Sequence, residues 1–275
     1  MIHRWQVTDA RSQRKLLDPD IFLNGSNPPP TDLLPFETWA HIMHLPDHVS
    51  ITTSNHHGRI LQSLHHLERG WVDAIGDSRD WLSEALVDVM DELPACIFLL
   101  LHGFYRQATS SLRSVLESTL VGAYVQLSAD NALFRRWRSG EEISFGRAAD
   151  LLPKIPRAAA LETRLRSTAS DDLLSQRSRH FKGGWARRLY QELCRYAHSR
   201  PGFSNADLWR SNGPIYVPTK LRRFAALYVE TYALGLVLVA LARPRSPLPS
   251  TVPRGYEKSH AKWARLAKTC HKFLK

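Results

Sequence analysis

Two short stretches of this sequence hold side chains that can bind an anion and move a proton. The first is Leu112-Arg113-Ser114-Val115-Leu116-Glu117. On a helix, Arg113 and Glu117 fall one turn apart on one face, among apolar neighbours that leave a charge in need of a partner. An intrahelical salt bridge that fixes helix register satisfies the same pattern. The second stretch runs from Tyr190 to His198, with Leu193, Cys194, Arg195 and Tyr196 between them. Arg195 and His198 are three residues apart and can share a helix face. A histidine passes protons near neutral pH. An arginine holds a phosphate or stabilises the charge that develops on it. Tyr190 adds a phenol. Cleavage of RNA needs these services, because a 2′-hydroxyl must lose a proton and a phosphorane must be stabilised. The competing reading is a helix C-terminus where His198 caps carbonyls.

Other chemistries are less well supplied. His41, His44 and His48 precede His56-His57 and His65-His66, with Asp47 among them. Clustered imidazoles and carboxylates are ordinary metal ligands. Pro46 interrupts the run, however, and no His-Glu-x-x-His occurs, so neither a metal nor a cofactor is assigned. The sequence lacks a phosphate-binding Gly-x-x-x-x-Gly-Lys, a dinucleotide-binding glycine pattern and a Gly-x-Ser-x-Gly elbow.

The elements that must position these residues are helical. Ile60, Leu64, Leu67, Trp71 and Ile75 recur at spacings of three and four and predict a helix over 59–75. Trp81, Leu82, Leu86 and Val89 predict another over 80–90, with Ser78 or Asp80 as its cap. Pro94 is expected to open a long apolar helix over 95–127. Shorter helices are expected over 133–137, 144–152, 158–174 and 185–198. Ile215-Tyr216-Val217 reads as a short extended piece before a second apolar helix over 221–242, and 256–275 reads as a basic amphipathic helix. No strand-like alternation of any length appears. The expected class is all-α, a helical bundle with a loop-rich N-terminal segment and a basic C-terminal helix. Its divisions are an irregular segment 1–58, a helical core 59–242, a proline-rich linker 243–255 and the tail 256–275.

Charge is distributed unevenly along this framework. Residues 1–176 hold 17 Lys/Arg against 22 Asp/Glu, a balance of −5; residues 177–275 hold 20 against 4, a balance of +16. Such asymmetry points to a polyanionic partner, RNA rather than DNA, or to an acidic protein. Arg187, Arg188, Lys258, Lys262, Arg265, Lys268 and Lys272 are the candidate nucleic-acid contacts. The three cysteines, Cys96, Cys194 and Cys270, form neither a disulfide framework nor a zinc pattern, which fits a reducing, cytoplasmic compartment. No apolar core follows the first residues, so a secretory signal is not expected. The apolar run 224–242 is interrupted by Glu230, and only twelve residues follow it. A span needs about 20, so a buried core helix is expected instead.

The segments Leu112–Glu117 and Tyr190–His198 together resemble uncharacterised bacterial all-helical proteins related to the HEPN superfamily. The resemblance covers roughly residues 95–242. HEPN proteins are helical bundles, often dimeric, and many are RNases of toxin–antitoxin and phage-defence systems. The resemblance therefore implies an all-α bundle able to form a homodimer, and a metal-independent ribonuclease if the chain is an enzyme. Arg195, His198, Tyr190, Arg113 and Glu117 are then the catalytic candidates. The family's catalytic motif places four to six residues between its arginine and histidine. Arg195 and His198 have two residues between them, and Arg59 and His65 have five. The alternative is a non-catalytic interaction module that docks a protein partner through its apolar helices and basic tail.

Overall fold

The computed structural model of the chain describes residues 36–75, 80–175, 183–197, 214–244 and 261–274. Two compact units are distinguished, Met1–Leu45 and Pro46–Lys275. Of the first, only residues 36–45 are described, and they are helical. In the second, the described residues are mostly helical and contain no strand, as the periodicity requires.

The first helix, α1, is Phe36–Ile75, with Pro46 inside it and a departure from helical angles at His57. The sequence led us to expect irregular chain up to residue 58. Helix begins earlier because Val49 and Thr53 extend the buried face of Leu64 and Trp71 upstream, and a threonine among prolines and histidines hides that face. Next, α2 (Trp81–Leu101) starts at Asp80, whose side chain accepts the Ser83 N–H. Pro94 lies inside α2 rather than at a helix start.

The long helix expected over 95–127 is two helices, α2 and α3 (Tyr105–Ser128). They meet at Gly103, which has φ +80°; a Cβ there would stand 2.4 Å from the Ile215 carbonyl oxygen. Only glycine accepts both the angle and the approach. The break is hard to read in the sequence because the surrounding residues stay apolar through it.

Four short elements come next. These are α4 (Asn131–Arg138), α5 (Phe145–Leu151), a single 3₁₀ turn at Leu152–Lys154, and α6 (Pro156–Ala169). Asp130 caps α4 and Ser144 caps α5. The sequence suggested that α6 would continue to residue 174. It stops at Ser170, which has φ 51°, and the chain turns back. Beyond it lie α7 (Trp185–Ala197), α8 (Pro218–Ala242) and α9 (Lys262–Leu274).

The core forms where α3 packs against α2, α7 and α8. Leu112, Leu116 and Leu120 of α3 are fully buried, each worth about 1.5–3 kcal/mol on removal from water. One described helix, α8, is long and apolar enough to cross a membrane, and 78% of its most apolar window is buried inside the protein. Its residues 231–242 are buried against the rest of the protein. Its end is fixed by Arg243, only 4% exposed, which bonds both Asp80 oxygens at 2.8 and 2.6 Å and Ser83 Oγ at 2.7 Å. The last turn of α8 is thereby tied to the cap of α2.

Candidate functional site

Three of the five catalytic candidates converge. The apolar side of α3 is buried through Leu112, Val115 and Leu116, which turns Arg113 and Glu117 toward α7. On α7, Trp185, Leu189 and Leu193 are buried, which turns Tyr190 toward α3. Arg113 Nε and Nη2 donate to Tyr190 Oη at 3.1 and 2.8 Å. Arg113 Nη2 also meets Glu117 Oε2 at 3.1 Å. The Tyr190 hydroxyl faces both Glu117 oxygens, at 3.4 and 3.3 Å. Glu117 Oε1 accepts the backbone N–H of Phe145 at 3.3 Å. The Phe145 ring lies flat on Tyr190, centroids 3.8 Å apart and planes 2° from parallel, and so fixes the phenol's direction.

The cluster is half-buried, with side-chain exposures of 29% for Arg113 and 27% for Glu117. Burial, reinforced by the Glu117 charge and opposed by Arg113, pushes the Tyr190 pKa up to about 12. The phenol is therefore a hydrogen-bond donor at neutral pH and not a base. Burial also raises the Cys194 thiol, against the pull of Arg113, which leaves little thiolate for reaction. Arg113 has its own pKa raised, burial being outweighed by Tyr190 and Glu117. Its bonds to those two residues run through Nε and Nη2, and the Cys194 thiol also interacts with the guanidinium. The arrangement is thus a fixed, partly exposed guanidinium beside a phenol donor and a carboxylate acceptor.

The remaining candidates lie elsewhere. Arg195 is about 140° around α7 from Tyr190, exposed, and paired with Glu192 at 2.6 Å. Glu192 also accepts from Arg223 at 2.7 Å. Arg195 therefore does not join the cluster. His198 lies outside the described residues, as does Lys258.

Arg187 and Arg188, expected to meet nucleic acid, are partly exposed and paired with groups of the fold. Arg187 is 14% exposed, donates to the Leu174 carbonyl at 2.6 Å and pairs with Asp150. Arg188 holds both Asp171 oxygens, at 3.0 and 2.9 Å, and the Gly183 carbonyl at 2.9 Å. Their charges are neutralised within the fold. Lys262 pairs with Asp171 at 2.7 Å. Arg265, Lys268 and Lys272 are exposed on α9, whose opposite side buries Ala264, Leu266, Ala267 and Cys270. Of the literal Arg-x₅-His match on α1, both members are exposed, and His65 pairs with Glu68 at 3.1 Å. No group of three or more metal-binding side chains occurs among the described residues.

Sequence reasoning missed the acidic knot that receives Arg188. Glu162, 2% exposed, accepts the N–H groups of Leu173, Leu174 and Ser175 at 2.8, 2.7 and 3.0 Å. Asp171 and Asp172 are buried beside it and bind Arg188, Lys262 and Arg166. The available signal was a pair of doublets, Asp171-Asp172 and Arg187-Arg188, flanking Gly183-Gly184. Comparison with protein-family models, curated proteins and solved structures finds no match to this chain.

Proposed function

We propose that this chain is a HEPN-like helical protein that binds RNA, and that the Arg113–Glu117–Tyr190 cluster is where a phosphodiester meets it. The observation that carries this reading is the Arg113 guanidinium itself, fixed by Glu117 and Tyr190 and still 29% exposed. A preorganised cation of this kind suits phosphate and the extra charge of its transition state. The Tyr190 hydroxyl, kept protonated, adds a donor.

Cleavage requires a proton acceptor, and we assign that role to His198. In sequence it lies four residues beyond Cys194, itself four beyond Tyr190. The 2′-hydroxyl gives its proton to the imidazole as the 2′-oxygen bonds to phosphorus. The bond to the 5′-oxygen breaks, that oxygen takes up a proton from water, and the imidazolium returns its proton to solvent. The defence or toxin–antitoxin setting belongs to the same proposal.

The test is binding of a single-stranded RNA to the full chain carrying Arg113→Gln. Loss of one charge-assisted contact should weaken binding about tenfold or more. Unchanged affinity in a folded variant would remove RNA from this cluster.

One observation favours a non-catalytic second reading. The α9 helix docks by its apolar side and turns Arg265 and Lys272 outward, a surface suited to an acidic protein. The apolar α8 takes no part in this, being buried. Arg265→Glu with Lys272→Glu should then abolish a protein complex while leaving RNA affinity intact.

A further inference from the structure

A second polar cluster sits at the bend of α1, on residues that the Arg113 site leaves unused. His57 has φ −135° and ψ 20°, so the helical path breaks there. Its Nε2 lies 3.1 Å from Tyr216 Oη. The His56 ring stacks on the Tyr216 ring, centroids 5.6 Å apart and planes 25° from parallel.

Tyr216 is held firmly from both sides. Its neighbour Ile215 presses its backbone against Gly103, leaving no space for a Cβ. Its other neighbour, Val217, donates its N–H to Tyr105 Oη at 2.9 Å. Arg222 stands one turn into α8 and donates Nε to the Pro218 carbonyl at 3.3 Å. His56 and Arg222 are exposed, and His57 and Tyr216 are half-buried.

The electrostatics of this cluster differ from those of Arg187, Arg188 and Arg195. Arg187, Arg188 and Arg195 each meet a carboxylate. Among the described residues, no carboxylate pairs with His56, His57 or Arg222. Partial burial, then the positive field of Arg222, then that of His56, hold the His57 pKa below its ordinary value. A neutral imidazole accepts the phenol proton of Tyr216, which orients both rings. An arriving anion would relieve the field that disfavours protonated His57. The counter-charge the cluster lacks is one a ligand can supply.

We infer that His57, Tyr216 and Arg222, with His56 at the rim, form a second site that takes a phosphate group, a phosphodiester of an RNA strand. Its source as RNA rests on the proposed function; its phosphate chemistry does not. The Nη groups of Arg222 meet phosphate oxygens, and Nε keeps its bond to Pro218. The Tyr216 hydroxyl supplies a further donor when it turns from His57 to the ligand. The exposed face of His56, already stacked on Tyr216, offers a surface on which an unpaired base can lie.

The test uses the full chain with labelled histidine rings, the His57 resonance being assigned from His57→Gln. Inorganic phosphate is titrated first, then a short single-stranded oligoribonucleotide, into wild type, Arg222→Gln and Tyr216→Phe. Both ligands should shift the His57 resonance. Arg222→Gln should weaken both by about tenfold while the helical circular-dichroism signal stays unchanged, since Arg222 is exposed. No shift of His57 with either ligand, or wild-type affinity in Arg222→Gln, overturns the site. A shift with phosphate alone supports the phosphate site and removes the RNA reading. RNA binding that leaves His57 unmoved keeps the RNA reading and overturns the site.

Discussion

Glu230 is a carboxylate in the middle of an apolar helix, and its surroundings decide what it does. Trp185 Nε1 donates to it at 2.9 Å. Burial raises its pKa, and the Trp185 bond and the charges of Arg223 and Arg188 only partly oppose that rise. A carboxyl whose folded pKa is raised contributes stability below its unfolded pKa and loses that contribution as pH rises through the folded value. Glu230→Gln keeps an acceptor for Trp185 without the charge. It should be more stable than wild type at neutral pH, with the advantage shrinking toward pH 4. Thermal melts across that range check it, and an advantage that grows on acidification would contradict the assignment. Tyr228 poses the opposite case. Its hydroxyl is buried with no hydrogen-bond partner among the described residues. Tyr228→Phe should therefore gain about 1 kcal/mol, since an unmet buried donor is costly; a loss in urea melts would reveal a partner.

At this scale, spacing made part of the site legible. Arg113, Glu117 and Tyr190 could be picked out because helical periodicity places them on apolar-flanked faces. Phe145, Asp171 and the His57–Tyr216 pair could not, because chain separation hides their meetings. Local pattern also cannot say whether an arginine will meet a carboxylate of its own fold, and Arg187 and Arg188 do.

Between elements, the fold depends on a few polar ties. Asp80 caps α2 and also receives Arg243 from the end of α8. Burial works to raise the Asp80 pKa, but the bonds from Arg243 and Ser83 outweigh it and hold the carboxyl below its usual range. A depressed carboxyl contributes stability above its unfolded pKa and loses it as pH falls through the folded one. Arg243→Met should cost about 3 kcal/mol, because it strands a partly buried carboxylate, and should flatten the acid limb of the stability curve below pH 4. Equal acid sensitivity in the two proteins would count against this tie.

The turn that precedes α7 has a steric counterpart. A Cβ on Gly184 would stand 2.4 Å from the Leu173 carbonyl carbon and 2.5 Å from the Leu174 nitrogen. Gly184→Ala should lose about 1–3 kcal/mol and lower the melting temperature. Helix existence was legible from apolar periodicity nearly everywhere. Helix limits were less so: Gly103 ends α2 within a mostly apolar run, Thr53 hides the upstream face of α1, and Glu162 draws the chain away from helix after Ala169.

Across the whole molecule, the charge asymmetry survives in an altered form. The excess of positive charge over 177–275 was read as pointing to a polyanionic partner. Arg187 and Arg188 pair with Asp150 and Asp171, and within 177–275 the exposed cations of the described residues lie on α9, at Arg222, and at Arg195 and Arg223, which share Glu192. An RNA bound across such surfaces should release counterions. Its affinity should fall steeply with salt, and Arg265→Glu with Lys272→Glu should lower the slope of log affinity against log salt by roughly 1 to 2 if RNA also touches α9. An unchanged slope would assign α9 to a protein partner.

The proposed chemistry has a phosphodiester meet Arg113 and lose its 2′-proton to His198. The direct measurement is cleavage of a single-stranded RNA by the purified full chain in the presence of a metal chelator, with His198→Ala alongside. The wild-type chain should produce ends bearing a 2′,3′-cyclic phosphate, while His198→Ala should bind the RNA and leave it whole. Intact RNA with the wild-type chain, or equal cleavage by both proteins, would contradict this chemistry.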